Sequence, residues 1–165
     1  CLTVSAVTGK IFSADIIPET LKATTLSHLT VGERVNIEQA LRLGARMGGH
    51  FLTGHVDGVG WIQKFERRGR NFRLQIKAPA NIMHYLVVKG SIAIDGISFT
   101  LQQIRNQSFT VGLTPYTFQR TTLQCKQAGE PVNLEADLLA KLVQHFLFRK
   151  QRPHLKIQRL RSLGF

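Results

Sequence analysis

Ile17-Pro18-Glu19-Thr20-Leu21-Lys22-Ala23-Thr24-Thr25-Leu26 returns 97 residues later as Thr114-Pro115-Tyr116-Thr117-Phe118-Gln119-Arg120-Thr121-Thr122-Leu123. Working outward at that offset, residues 1–40 lie on residues 98–137 without a gap. Thr3 meets Thr100, Phe12 meets Phe109, Gly32 meets Gly129, and Val35-Asn36 with Glu38 meets Val132-Asn133 with Glu135. A period this long exceeds a solenoid unit and has the size of a small domain. The chain therefore reads as two copies of one domain in tandem. The copies are unequal. The second has about 45 residues ahead of its matched segment, roughly Leu52 to Ile97, whereas the first opens at Cys1, opposite Ser98. This predicts an N-terminally truncated first copy, about half present; the alternative is an intact domain with a short partial repeat.

Composition narrows the class. Apolar residues make up 43% of the chain and charged residues 19%, ordinary values for a globular protein. No run of 18 apolar residues suggests a membrane helix, and no signal-peptide pattern opens the chain. Cys1 and Cys125 have no metal-ligand spacing and build no disulfide framework, so a cytoplasmic location is the default. The net charge of +12 points toward nucleic acid, but its placement argues otherwise. Beyond Asp137 there is no acidic residue, and seven cations fall there; without them the charge is about +5. Arg67, Arg68, Arg70 and Arg73 flank a Gly-Arg-Asn turn and read as a solvated hairpin tip. The aromatic strand motif of a single-strand RNA platform is missing. An uncharged ligand and a basic tail fit better than an OB-like nucleic-acid-binding module, and no nucleic-acid or membrane partner is expected.

Local patterns predict short strands separated by turns. Cys1–Val7 and Ile11–Ile17 form a hairpin about Thr8-Gly9-Lys10, and Ser98–Arg105 and Ser108–Leu113 repeat it about Asn106-Gln107. Pro18 and Pro115 end the second strand of each, because proline cannot donate to a ladder. Glu19–Leu26 predicts a helical turn or more, Ser27–Gly32 a loop and Arg34–Glu38 a closing strand. Further on, Gly54–Phe65, Asn71–Ala78 and Ser91–Ile94 predict strands, Pro79–Leu86 a short helix and Asp95-Gly96 a turn. Six short strands with a small helix favour a closed antiparallel barrel. Leu138, Leu139, Leu142, Val143, Phe146 and Leu147 recur at helical spacing. That greasy helix either packs on its own barrel or meets helices of other subunits. Gln151–Phe165 reads as poorly ordered.

Four segments, in order, carry a family resemblance. They are Cys1-Leu2-Thr3-Val4, Ile17-Pro18-Glu19-Thr20-Leu21, Met47-Gly48-Gly49-His50-Phe51-Leu52-Thr53-Gly54-His55-Val56-Asp57-Gly58 and Ile94-Asp95-Gly96-Ile97-Ser98-Phe99-Thr100. Together they resemble the riboflavin synthase family, from Cys1 to about Leu147. The resemblance implies an all-β fold: two tandem similar six-stranded antiparallel barrels, the first incomplete, plus a C-terminal α-helix. The corresponding boundaries are 1–50 for the partial barrel, 51–137 for the second barrel, 138–149 for the helix and 150–165 for a basic tail. It implies a transferase that dismutates two molecules of 6,7-dimethyl-8-ribityllumazine into riboflavin and 5-amino-6-ribitylaminouracil, with no metal and no cofactor. It further implies a homotrimer held by the helices, an association with lumazine synthase, and a productive site shared between one subunit's first barrel and a neighbour's second. Non-catalytic lumazine- and flavin-binding proteins of the same fold are the alternative, because fold and function separate.

The resemblance marks site residues. His55, Ser98, Cys1 and Asp137 match positions implicated in activity. Cys1, Leu2, Thr3, Asp15, Glu19 and Thr20 match the first lumazine site. Gly54, His55, Val56, Ser98, Phe99, Thr100, Thr114, Pro115, Tyr116 and Thr117 match the second, and Lys89 a position that reaches a neighbour's site. The residue types suit the chemistry. Residues i and i+2 share a strand face, so Cys1 with Thr3, and Ser98 with Thr100, offer paired small polar groups to a flat ring and a hydroxylated chain. His55 is the natural proton carrier near neutral pH. Competing readings are structural: Asp137 as a helix N-cap, Cys1 as a small core residue, and His50 as a hydrogen-bonding residue between the barrels. Three departures stand out: the family's N-terminal Phe-Thr-Gly-like segment is absent, Tyr116 stands opposite Glu19, and the tail is unusually basic. The expectation is a broken first barrel and an incomplete active site.

Overall fold

Leu74 and Ile76 alternate with Arg73, Gln75 and Lys77, and this period of two sets one strand face against an apolar interior. The computed structural model describes residues 1–149. In it β1 (Val4–Thr8) and β2 (Ile11–Ala14) of the first copy are followed by β3 (Gly58–Arg68), β4 (Asn71–Lys77), β5 (Ser91–Ile94), β6 (Ile97–Arg105), β7 (Ser108–Leu113) and β8 (Pro131–Ala136) of the second. The six strands of the second copy close into an antiparallel barrel in the order β3-β4-β7-β6-β5-β8. Its interior holds Ile62, Leu74, Ile76, Ile92, Ile94, Phe99, Leu101, Phe109, Val111, Leu113, Val132 and Leu134, all buried. Burying each such side chain contributes roughly 1.5–3 kcal/mol. Gly60 lets strands close up: a Cβ there would sit 2.5 Å from Leu134 Cδ1. The β5–β6 turn, Asp95-Gly96, has φ of 46° and 79°, the double positive φ of a type I′ hairpin. Phe118, from the helix after β7, stacks on Phe72 at 4.1 Å, with Phe65 alongside.

The first copy repeats the second down to its irregularities. β1 (Val4–Thr8) and β2 (Ile11–Ala14) form a hairpin in which Val4 faces Ala14 and Ala6 faces Ser13, with a bulge between. In the β6–β7 pair Leu101 faces Val111 and Gln103 faces Thr110, with a bulge at the equivalent place. The helix α1 (Pro18–Ala23) and a 3₁₀ turn at Thr25–His28 match α3 (Pro115–Arg120) and Thr122–Cys125. Thr24 and Thr121, with the same backbone angles, bond back to the carbonyls of Thr20 and Thr117 at 2.7 and 2.8 Å.

The exceptions have physical causes. Residues 34–38 form no strand, contrary to expectation. Their counterpart β8 lies between β3 and β5, and the described residues of the first copy supply no such neighbours, so the backbone has no ladder to join. The result is a second, incomplete sheet of two strands. Cys1–Thr3 likewise lie outside β1, which begins at Val4. β3 begins at Gly58 rather than Gly54, because the Thr53 and Gly54 amides bond a side-chain carboxylate instead of a neighbouring strand. The short helix α2 is only Ala80–Met83, since the Tyr85 and Leu86 amides then bond three residues back and tighten it into a turn.

The two copies clasp one another reciprocally. The Thr25 amide donates to Asn133 Oδ1 at 2.8 Å, and the Thr122 amide donates to Asn36 Oδ1 at 2.9 Å. Asn36 Nδ2 also donates to the Asp95 carbonyl, and Asn133 to the Asp95 carboxylate. The final helix, α4 (Leu138–Arg149), leaves Leu138, Leu139, Leu142, Val143, Phe146, Leu147 and Phe148 40–63% exposed, so it does not pack on its own barrel. None of the described helices is long and apolar enough to cross a membrane. The basic tail 150–165, and the disorder expected of it, lie outside the described residues.

Candidate functional site

The segment 49–55 runs between the copies and is fastened to both. Its anchor in the second copy is Glu135 on β8, whose side chain is only 6% exposed. Glu135 Oε1 accepts from the Thr53 amide at 2.9 Å and the Thr53 hydroxyl at 2.7 Å, and Oε2 accepts from the Gly54 amide at 3.0 Å. The anchor in the first copy is Cys1, whose backbone nitrogen donates to the Gly54 carbonyl. Gly54 has a φ of +74°, and a Cβ there would fall 2.6 Å from the Cys1 nitrogen, so glycine is required twice over.

Two histidines leave this segment in different settings. His55 is exposed, with Nδ1 2.7 Å from Thr53 Oγ1. His50 is half-buried, with Nδ1 2.7 Å from Ser98 Oγ, and its buried Nε2 has no partner. Burial pushes the His50 pKa below the ordinary imidazole value, against the raising pull of Asp137 and Glu135. Gly49 permits this contact, since a Cβ there would lie 2.7 Å from Ser98 Oγ.

On β6 the alternation works as the pattern predicts. Phe99 and Leu101 point into the barrel, Thr100 is exposed and Ser98 is half-buried on the outer side. The Phe99 ring is therefore turned away from the outer face that carries Ser98. Thr114 caps α3 by accepting from the Thr117 amide, and the two hydroxyls are 3.0 Å apart. Pro115 opens that helix and Tyr116 is exposed beneath Arg120, 5.6 Å from its ring centre. Asp137 accepts from the Leu139 amide at 3.0 Å and so caps α4. Beside it, Asp57 pairs with Lys141 at 2.6 Å. Val56 is half-buried, as is Thr20, while Leu2, Thr3, Asp15 and Glu19 are exposed. Lys89 is exposed with a φ of 67° and donates its amide to the Leu101 carbonyl.

The structure therefore joins Cys1 to Gly54, Ser98 to His50, and His55 to Thr53 and Glu135. Thr53 and Glu135 are additions to the predicted set. Glu135 had a signal, its identity with Glu38 across the repeat, and Thr53 lies within the Met47–Gly58 motif without a role assigned to it. The Arg-rich turn of β3–β4 is solvent-facing, where Glu66 pairs with Lys64 and Arg68. These pairs hold the Glu66 carboxyl below the usual range. A polar depression on that outer face, lined by Lys64, Arg68, Arg73 and Arg105 with Glu66, involves none of the residues singled out by the motifs.

A family model described as the lumazine binding domain matches residues 1–40 and 53–137. Riboflavin synthase of Actinobacillus pleuropneumoniae is 38% identical across 100% of this chain, which covers 79% of that protein. Riboflavin synthase of Bacillus subtilis is 39% identical over 90% of this chain and 69% of its own length. That of Chlamydia muridarum is 44% identical over 86% and 70%. Among solved structures, LumP complexed with riboflavin superimposes with a TM-score of 0.75 at 26% identity, over 82% of this chain and 73% of that one. LumP complexed with 6,7-dimethyl-8-(1'-D-ribityl) lumazine gives 0.71 at 25% identity, over 82% and 72%.

Proposed function

The chain belongs to the riboflavin synthase family, and from that premise we propose that it transfers a four-carbon unit between two molecules of 6,7-dimethyl-8-ribityllumazine. The products are riboflavin and 5-amino-6-ribitylaminouracil. Both reactants are the same compound, so what one ring gains the other loses, and the transfer balances without an external oxidant. The flat ring is its own electron sink. Holding two rings face to face then supplies much of the rate. His55 takes the proton from the acidic C7 methyl group of one ring. Ser98, with its hydroxyl on His50, and Cys1 assist addition at C7 of the other. Thr3 with Thr100, and Thr20 with Thr117, meet the ribityl chains.

One observation carries this reading. The segment 49–55 bonds to the Cys1 nitrogen of the first copy and to Ser98 and Glu135 of the second, so one link ties down residues assigned to both half-sites, each of which a neighbouring chain would complete. The exposed apolar side of α4 supports a homotrimer assembled through that helix, and two free cysteines suit a reducing cytoplasm.

The test is turnover. Incubation with the lumazine is expected to release riboflavin, followed by its absorbance, and His55→Gln is expected to slow this about 10²-fold or more. Tight lumazine binding without riboflavin would overturn the enzyme reading. It would favour the second one, a binding protein, which the likeness to lumazine- and riboflavin-bound LumP supports.

A further inference from the structure

We infer that Thr53 and Glu135 form a relay that fixes the tautomer of His55, holding the proton on Nδ1 and leaving Nε2 as the basic atom. The inference rests on hydrogen counting. Thr53 Oγ1 lies 2.7 Å from Glu135 Oε1 and 2.7 Å from His55 Nδ1. A hydroxyl has one proton to give. The Glu135 carboxylate is acting as acceptor only: Oε1 takes the Thr53 amide as well, and Oε2 takes the Gly54 amide. The Thr53 hydroxyl proton therefore goes to Glu135. Its oxygen can meet His55 only as an acceptor, so Nδ1 carries the hydrogen. A neutral imidazole has one such hydrogen, and the lone pair left over is on Nε2 of an exposed ring.

The parts are unequally buried, and this makes the relay directional. Glu135 is buried in β8, the innermost part of the network, and is paired to main-chain amides that do not rotate. Thr53 transmits that fixed position outward. The ring is thereby oriented by a carboxylate it never touches, across one hydroxyl. When Nε2 takes a proton, the imidazolium keeps its Nδ1–H bond to Thr53, and the charge lies one hydroxyl away from the carboxylate. Thr53 and Glu135 are positioning residues; the proton exchanged with a substrate is carried on His55.

This builds on His55 as proton carrier, and the two ideas fail separately. Long-range ¹⁵N–¹H correlation spectra of the ¹⁵N-labelled chain, taken where imidazoles are neutral, report the tautomer of each ring. His55→Gln identifies the His55 signals by their loss. The expected result is a protonated Nδ1 at His55 in the wild type, loss of that preference in Thr53→Val and its return in Thr53→Ser. Turnover is expected to fall about 10–100-fold in Thr53→Val, the scale of losing an orienting partner, and to recover in Thr53→Ser. A wild-type His55 protonated on Nε2, or a Thr53→Val protein with an unchanged tautomer, overturns the relay. Full turnover in His55→Gln would instead remove the histidine from the chemistry, and the spectra would still decide the tautomer.

Discussion

Phe12 and Phe109 hold the same position in the two copies, pair with equivalent partners across equivalent hairpins, and have opposite fates. Phe109 is 1% exposed inside the barrel; Phe12 is 44% exposed. Their strands share register and bulge, so the local sequence suffices to shape a hairpin in either setting. What it does not supply is an interior. Six strands must close before the inward face of any one of them leaves water, and among the described residues the second copy alone has six.

This difference can be broken by measurement. Phe109→Ala is expected to cost about 3–5 kcal/mol in urea unfolding and Phe12→Ala less than about 1 kcal/mol; equal losses would show that the first hairpin is buried too. The clasp is next in size. Asn133→Ala removes the side-chain bonds to Thr25 and the side-chain bond to the Asp95 carboxylate, while the backbone amide keeps its own, and is expected to cost roughly 2 kcal/mol, against about 1 kcal/mol for Asn36→Ala. Equal costs would show that the side-chain bond to the Asp95 carboxylate adds no more than the Asn36 bond to the Asp95 carbonyl.

Two smaller effects follow from titration. Asp95 is mostly buried, and burial raises its pKa despite the lowering bonds from Asn133 and the charge of Lys126. Its folded state then holds the proton more tightly than the unfolded chain. The contribution of Asp95 to stability is expected to be fully present below the ordinary aspartate range and to be lost as pH rises through the raised folded value. Asp95→Asn keeps the acceptor oxygen and is expected to flatten that slope, measured as melting temperature against pH; an unchanged slope would refute the assignment. His50 is the converse, lowered by burial. Its contribution is present above the ordinary imidazole value and is lost as pH falls through it toward the lower folded value. His50→Gln is expected to remove this small decline, and a decline that survives must come from other groups.

Local chemistry was legible wherever local rules decide. The ends of β5 and β7, the Asp95-Gly96 turn and the start of α4 coincide with turn residues, a proline or a cap. Features set by distant partners were not. A strand at 34–38 needs neighbours that no pattern within those residues can reveal. Thr53 and Glu135 are 82 residues apart, and nothing near either one announces the other. The proposed site was legible as motif positions, His55, Ser98 and Cys1. Its wiring was not, because hydrogen bonds between a link and a barrel leave no periodicity.

The reciprocal clasp has a consequence for the ancestry of such a chain. Thr25 with Asn133, and Thr122 with Asn36, are one contact made twice, each copy giving what it receives. That is the signature of an isologous, two-fold interface. A lone domain carrying one threonine and one asparagine would already match a second copy of itself. Fusing two such domains requires no new surface. It converts an encounter that depends on protein concentration into one held at a fixed effective concentration, and frees each half to specialise while the handshake stays the same.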